Sequence, residues 1–384
     1  MALSDVQTNN QLTKYVDQFT IEWWRENRFS PYQSSSLTAI IRTFNELKAG
    51  GAEMNIPLLS KLRDSGVGSG TLSGSEESLD DYGMRVRPDW ARHAVKMRKS
   101  DKRKQSADAF AEVKPLLNGW ADELKRDEMI VALMSLPSES AQAGLNSDAG
   151  DRVGGIRYSA ATATQRNTWN SDNSDRVLYG NTTANYNATH ATALANIDAT
   201  NDLFTLESAK LMQRIGANAD PAIKPYKAEG TNREAMVFFH GSNTFYDFVR
   251  ALDAAGIDKD ARARGGMDDN PLFVSGDELY RGGIHVHVPE IDAYVTNTAT
   301  TLLTAGAGSI RVNPVFMCGQ NALVMAVGQM PKATFLEATD YQFNEGAGIE
   351  MCYVIAKMFK KWPKTDTELK QVGIVSGFFA STGT

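Results

Sequence analysis

His285 and His287, in the run IHVHV, are the residues of this 384-residue sequence whose type and spacing come nearest to site chemistry. Two apart on a strand, their rings would leave from one face and could share a divalent metal. Two ligands leave such a centre incomplete. Asp277, Glu290 and Asp292 are close in sequence, but His93, His190 and His240 are remote, and a metal centre of this kind takes three or four protein donors. The pair therefore reads as the polar face of a strand, with a metal-dependent enzyme as the lesser alternative. Nucleophilic catalysis has still less behind it, because no Gly-x-Ser-x-Gly elbow occurs and neither Cys318 nor Cys352 has a histidine nearby. The glycines from Gly66 to Gly74 lack the lysine of a phosphate loop and the buried strand that precedes one. No catalytic residue, metal ligand or cofactor site is expected.

The elements that would position those residues follow an α+β order. Met236 to His240 (MVFFH) reads as a buried strand leading into a helix with Phe245, Phe248, Val249 and Leu252 on one face and Gly256 at its end. LFTLESAKLMQRIG reads as a helix, and NPLFVSGDELYRGGIHVHVPEI as two short strands joined by a glycine turn. VNPVFMCGQNALVMAVGQM reads as a strand followed by a helix of small residues, and the tail as a last strand pair, EATDYQFNEGAGIEMCYVIAKMFKKW with VGIVSGFFAS. From Ser100 to Pro137, Phe110, Val113, Leu117, Trp120, Leu124, Val131 and Met134 form one helical stripe. At 1.5 Å per residue that rod is about 50 Å long, bent by Pro115 near its second turn. Residues 138–202 are rich in Ser, Asn, Thr, Ala and Asp and read as a long irregular connector, with strand pieces at GGIRYSAAT and DRVLYG, ordered by neighbouring copies of the chain.

The least self-sufficient stretch is 66–104, GVGSGTLSGSEESLDDYGMRVRPDWARHAVKMRKSDKRK. Its glycine-rich tip, with Gly70 at the middle, is followed by Glu76, Glu77, Asp80 and Asp81, then by nine basic residues set against Asp89 and Asp101. From Tyr82 to Met97, Met84, Val86, Trp90, Ala94 and Met97 alternate with basic residues as in a half-buried strand, interrupted by Pro88. A lone hairpin of this kind is marginal in water, so another surface must complete it. The basic residues Arg92, Lys96, Arg98, Lys102 and Arg103 are candidates to meet carboxylates of another copy, a reading preferred over DNA contact because the net charge is −6. Near the start, Phe19, Trp23, Trp24, Phe29 and Tyr32 gather large rings where termini are usually loose. Trp23 and Trp24 are therefore interface candidates as well.

Composition sets the outer bounds. The length suggests two or three subdomains. Two distant cysteines make no disulfide framework or paired zinc spacing and read as buried thiols of a reducing compartment. No run of 18 or more apolar residues occurs, and MALSDVQTNN lacks the basic and apolar regions of a signal peptide. The protein is thus expected in a cytosol unless a particle carries it out.

Taken together and in order, LSGSEESLDDY with its basic strand, DEMIVALMSLP, DRVLYGN, TLESAKLM, MVFFHGSNTFYDF, NPLF with GGIHVHVPEI, VFMCGQNALVMAVG, DYQFNEGAGIEMCYVIAKMFK and GIVSGFFAS resemble the major capsid proteins of tailed bacteriophages. The resemblance runs over nearly the whole chain and implies the Hong Kong 97-type capsid fold. It implies an N-terminal arm (1–49), an extended loop (50–100), a peripheral domain (101–234, spine helix 102–135), an axial domain (235–345) and strands returning to the peripheral domain (346–384). It further implies self-assembly into hexamers and pentamers of an icosahedral head around double-stranded DNA bound without sequence specificity. Scaffolding, portal and decoration proteins are the other implied partners, with no membrane, no enzyme activity and no cofactor. The protein would be assembled in the host cytoplasm and reside in the virion. The alternative within structural proteins is an encapsulin-like cage or another oligomer.

Overall fold

The computed structural model describes residues 25–62, 65–77, 81–102, 113–140, 150–227, 234–256, 273–275, 278–280, 283–339, 343–361 and 368–381. The chain divides into two compact units. The larger, Asn27–Trp90, Lys125–Gln329 and Cys352–Thr384, contains a seven-stranded mixed sheet. Across that sheet the strands run Phe273–Ser275, Glu278–Tyr280, Ile284–His287, Val237–His240, Val312–Cys318, Ile374–Ala380 and Val177–Tyr179. Val312–Cys318 and Ile374–Ala380 are buried at every position and pair antiparallel from Val312 opposite Ala380 to Cys318 opposite Ile374. Apolar residues without alternation are what a strand covered on both faces requires. Helices Leu206–Asn218 and Ser242–Ala254 supply part of that cover, packing Met212, Phe248 and Leu252 with Phe238, Met317 and Phe379.

The helix boundaries follow from local chemistry. Thr205 caps Leu206–Asn218 with Ser208 bonding back in a reciprocal box, and Thr162 and Gln165 do the same for Ala163–Asp172. Gly256, at φ +68°, follows the end of Ser242–Ala254, where a side chain would be strained. Of the expected 102–135 rod the described residues hold the helix Val113–Met134, with Pro115 in its first described turn; residues 103–112, Phe110 included, lie outside them. Met129, Ile130, Ala132 and Leu133 are buried with Met134, so the end of this helix is enclosed almost all round rather than along a single stripe.

Three expectations are corrected. ALVMAVG belongs to the strand Leu323–Thr339, not to a helix. Its small residues mark close approach of neighbouring chain: a Cβ on Gly328 would lie 3.2 Å from Cys352 Sγ. The tail segments are both strands, but Asn344–Lys357 lies in a five-stranded sheet and Ile374–Ala380 in the seven-stranded one, so they are not partners. The NPLF to HVPEI region forms three strands rather than two.

The largest difference concerns 150–202, which is ordered within its own unit. Its strand DRVLYG, Val177–Tyr179, pairs parallel with Ile374–Ala380, while Ile156 of GGIRYSAAT makes only a bridge to Leu136. Polar side chains do the ordering, by taking the place of backbone partners. Asn170 donates to the carbonyls of Asn187 (2.7 Å) and Ala188 (3.2 Å), and Asp202 accepts from the amides of Asn181 and Asp198. At the centre, His190 is buried and hydrogen bonded through both ring nitrogens, Nε2 to the Tyr158 hydroxyl (3.0 Å) and Nδ1 to the Tyr179 hydroxyl (2.7 Å). Tyr179 donates its own proton to Asn170 Oδ1 (2.8 Å), so it accepts from His190 Nδ1–H, leaving Nε2 to accept from Tyr158. The imidazole is therefore neutral, and burial lowers its pKa to about 3.

One buried cation runs against the rest of the interior. Lys357, 2% exposed, has its ammonium 5.9 Å above the Trp169 ring, and burial lowers its pKa to about 7. An unfolded lysine holds its proton up to about pH 10.4, so the unfolded chain binds more protons between those limits and stability rises with pH through that window. Lys357→Met is expected to raise the urea midpoint at pH 7 and to remove the rise between pH 7 and 10. Equal midpoints for variant and parent at pH 7 would contradict this account.

Candidate assembly surface

Strands Met54–Leu59 and Asp81–Val86 form an antiparallel hairpin, in register from Met54 opposite Val86 to Leu59 opposite Asp81. Ile56, Met84 and Val86 point inward and join a core with Val324, Ala326, Val354, Ala356, Met358 and Phe359. The root is fastened further by Tyr82 Oη donating to Glu139 (3.0 Å), Lys360 donating to Ser60 (3.1 Å) and Arg87 pairing with Glu53 (3.1 Å). The root is thus part of its own body, which corrects the reading of the whole stretch as excluded from its own core. Alternation decided this, since every second residue is apolar enough to bury despite the charges between.

The tip behaves as the sequence indicates. Residues 65–76, Gly70 included, are all exposed, with Leu62 (65%) and Leu72 (64%) among the most exposed large apolar side chains. Gly66 and Gly74 take φ of +76° and +87°, the left-handed region that favours glycine. Glu76 and Asp81 are exposed and Glu77 is half-buried; the Gly74 amide donates to Glu76 Oε2 at 2.7 Å. Trp23, Trp24, Asp80 and Arg103 lie outside the described residues, and Lys102 ends a helical turn, Lys99–Lys102.

Beyond Pro88 the chain continues as the strand Asp89–Arg98, and the facing alternation changes step. Even-numbered Tyr82, Met84 and Val86 are the more buried before it, odd-numbered Asp89 and Ala91 after it. Proline cannot donate to a ladder and is confined to such breaks. In consequence Arg92, Lys96 and Arg98 share one exposed face, and none makes an ion pair among the described residues. On the other face His93 packs against Trp120, ring centroids 4.8 Å apart.

The point where the hairpin leaves the body holds residues that motif reasoning missed. Asp89, 3% exposed, accepts from the amides of Trp90 and Asp151, each at 2.8 Å. Arg152 donates from Nη1 to the Trp90 carbonyl (2.8 Å) and from Nε and Nη2 to Glu128 Oε1 (2.8 and 2.6 Å). Burial pushes the Glu128 carboxyl above its ordinary range, against the pull of Arg152. The sequence signal was a carboxylate and an arginine interrupting otherwise apolar surroundings, in DEMIVALM and GDRVGG.

His285 and His287 do leave from one strand face, but helix Ser242–Ala254 covers it. Parallel pairing sets His287 opposite His240, so the remote third histidine arrives through topology. His240 Nε2 and His285 Nδ1 lie 2.9 Å apart, while His287 bonds to the Ser242 hydroxyl at 2.9 Å. Phe248 and Phe238 stack on His285 at 4.1 and 4.6 Å, and Phe245 on His287 at 4.9 Å. A polar strand face was expected; an aromatic layer with histidines inside it is found. No three His, Cys, Asp or Glu residues converge as a metal site among the described residues. Cys318 is buried and Cys352 half-buried, both as free thiols.

The sequence matches the family described as phage capsid protein over residues 5–376. The chain belongs to that family. The capsid asymmetric unit of cyanophage Pam1 is similar at 31% identity, covering 100% of both chains with a TM-score of 0.84. The capsid of Ralstonia phage GP4 is similar in fold at 20% identity, covering 100% of this chain and 99% of that one, TM-score 0.69. The acid-stable capsid of Helicobacter pylori bacteriophage KHP30 covers 97% and 96% at 11% identity, TM-score 0.65. No curated protein matches. The capsid protein has the α+β, Hong Kong 97-type fold, acts as a major capsid protein and resides in the virion, where copies associate in a phage head. Among the described residues no helix is long and apolar enough to cross a membrane.

The buried histidines give the capsid protein a defined response to acid. His190, with a pKa of about 3, and His240, held well below its usual value by burial and then by His285, stay neutral in the fold. The unfolded chain takes up both protons below about pH 6.5, so stability falls as pH drops from there toward about 3. His240→Leu is expected to make the decline in melting temperature between pH 7 and 4.5 shallower, even if the neutral-pH value is lower. A decline as steep as the parent's would show that His240 carries none of the effect.

Proposed function

We propose that this chain builds the hexamers and pentamers of an icosahedral shell enclosing double-stranded DNA, and that the hairpin tip is what one copy extends to the next. The observation that carries the reading is the contrast within the hairpin: a root sealed into its own core and a tip, residues 65–76, bare of cover from its own chain. Leu72 at the tip and Leu62 beside it lose water contact only against another surface, and a chain whose relatives form shells finds that surface on its own copies. The proposed division into arm, extended loop, peripheral domain, axial domain and returning strands follows the boundaries given above.

The tip carboxylates Glu76, Glu77, Asp80 and Asp81 set register by meeting basic residues such as Arg92, Lys96, Arg98, Lys102 and Arg103 of an adjacent copy. Trp23 and Trp24 of the N-terminal arm add apolar contact. Exposed ion pairs are worth up to about 1 kcal/mol each, and burying a leucine about 1.5–3 kcal/mol, so apolar contact supplies strength and charge supplies direction. Several weak contacts held at once suffice for a closed shell. The acidic net charge of −6 favours a container that leaves its DNA unread over a coat bound tightly to it. Scaffolding, portal and decoration proteins are further partners in this reading.

Replacing Glu76, Glu77, Asp80 and Asp81 together by lysine is expected to leave the subunit folded, with an unchanged melting curve, while closed shells disappear from electron micrographs and sedimentation profiles. Shells of normal size and yield from that variant would refute the role given to these carboxylates.

A further inference from the structure

Three segments distant in sequence meet at one guanidinium where the hairpin joins the body. Arg152, its side chain 11% exposed, holds the Trp90 carbonyl of the hairpin's exit and Glu128 of the helix Val113–Met134 at once. The arginine's own segment is fixed, since its carbonyl accepts from the Ile355 amide (2.8 Å) and the Gly154 amide donates to the Ile355 carbonyl (2.8 Å). Gly150, at φ +71°, leaves the space this needs: a Cβ there would run into Arg152 Nη1 and come within 2.8 Å of the Trp90 carbonyl. The arrangement has a second feature. Glu128 Oε2 and the Tyr353 hydroxyl are both buried and make no hydrogen bond of full geometry among the described residues, yet the hydroxyl faces the carboxylate closely enough to favour its ionised form.

We propose that Glu128 and Arg152 are positioning residues of shell assembly, a latch that sets the direction in which the hairpin leaves the body and that a proton on Glu128 opens. Ionised, Glu128 holds Arg152 through two charge-assisted bonds and Arg152 holds the hairpin's exit. On taking a proton from solvent at Oε2, Glu128 turns from acceptor to donor toward the Tyr353 oxygen, and its grip on Arg152 falls to that of a neutral carbonyl. Arg152 keeps its own charge throughout. The groups that face Glu128 are Arg152 and Arg157 from the 150–157 segment and Tyr353 from the strand Asn344–Lys357. On its own helix Arg126 is occupied by Asp127 (2.9 Å) and by Glu290 (3.5 Å), and so does not compete for it. Burial, the largest influence on Glu128, favours the neutral form, and Arg152, the Tyr353 hydroxyl and Arg157 oppose it.

The latch itself is tested on the full-length, unassembled chain by hydrogen exchange, read as protection factors for the amides of 81–91 at pH 7.5 and 5. The parent is expected to lose protection about tenfold on acidification, the scale of one charge-assisted hydrogen bond. Glu128→Gln is expected to show the low value at both pH values, and Arg152→Lys an intermediate value that still falls with pH. Parental protection in Glu128→Gln, or protection in the parent that does not change with pH, would overturn the latch. Should Glu128→Gln not fold, Arg152→Lys decides alone: lowered protection confined to 81–91 supports it and unchanged protection refutes it. The link to assembly rests on the capsid reading and has its own readout. Glu128→Gln is expected to give shells of altered diameter at pH 7.5, and normal shells from a chain with lowered hairpin protection would remove the positioning role while leaving the latch.

Discussion

Apolar surface that one copy cannot cover is the constraint on which the rest of the structure depends. The hairpin root spends its alternating residues on its own core, with Ile56, Met84 and Val86 enclosed, and the tip then has no core left to join. The described residues beyond such a root, 65–77, form no strand and have no second layer to pack on. Glycines at 66, 68, 70 and 74 leave the tip backbone a wide choice of paths, which suits the role proposed for it against a neighbouring copy. In the proposed assembly, stability of the subunit and stability of the shell are carried by different residues, a division that would let one be altered without the other.

The interior shows how a chain with 42% hydrophobic residues tolerates so many buried polar groups. Several are answered locally. His190 sits between two tyrosine hydroxyls, Asp202 collects backbone amides, and His285 lies between Phe238 and Phe248 with His240 as its partner. A satisfied polar network fixes geometry because its bonds fail together when a member moves. Where the answer is incomplete, as at His240 Nδ1, or where a cationic group is fully buried, as at Lys357, the cost appears as a depressed pKa and hence as sensitivity to pH.

Much of the fold could be read from the chain where hydrophobic pattern alone decides. The strand at 237–240, the helices Leu206–Asn218 and Ser242–Ala254 and the half-buried strands either side of Pro88 all follow from periodicity and caps. Pattern failed where side chains do work that composition conceals. ALVMAVG has the small residues of a packed helix, but close strand packing demands the same residues, and a short apolar run does not distinguish them. Residues 150–202 look like solvated loop because Asn, Asp and Thr are common there, yet those side chains stand in for backbone partners and make the segment rigid. The exposure of the hairpin tip was legible, because glycine and charge declare themselves there. The root was not, since Asp89, Glu128 and Arg152 are 62 and 24 residues apart in the contacts they make and carry no shared motif.

The change of step at Pro88 has a consequence for how relatives of this chain can vary. Because side chains alternate sides along a strand, adding or removing one residue between Val86 and Ala91 would turn Arg92, Lys96 and Arg98 inward and bring their neighbours out. Two residues would restore the facing. Natural length variation at this joint should therefore come in pairs, whereas the glycine-rich tip, bound by no such parity, is free to lengthen or shorten by single residues.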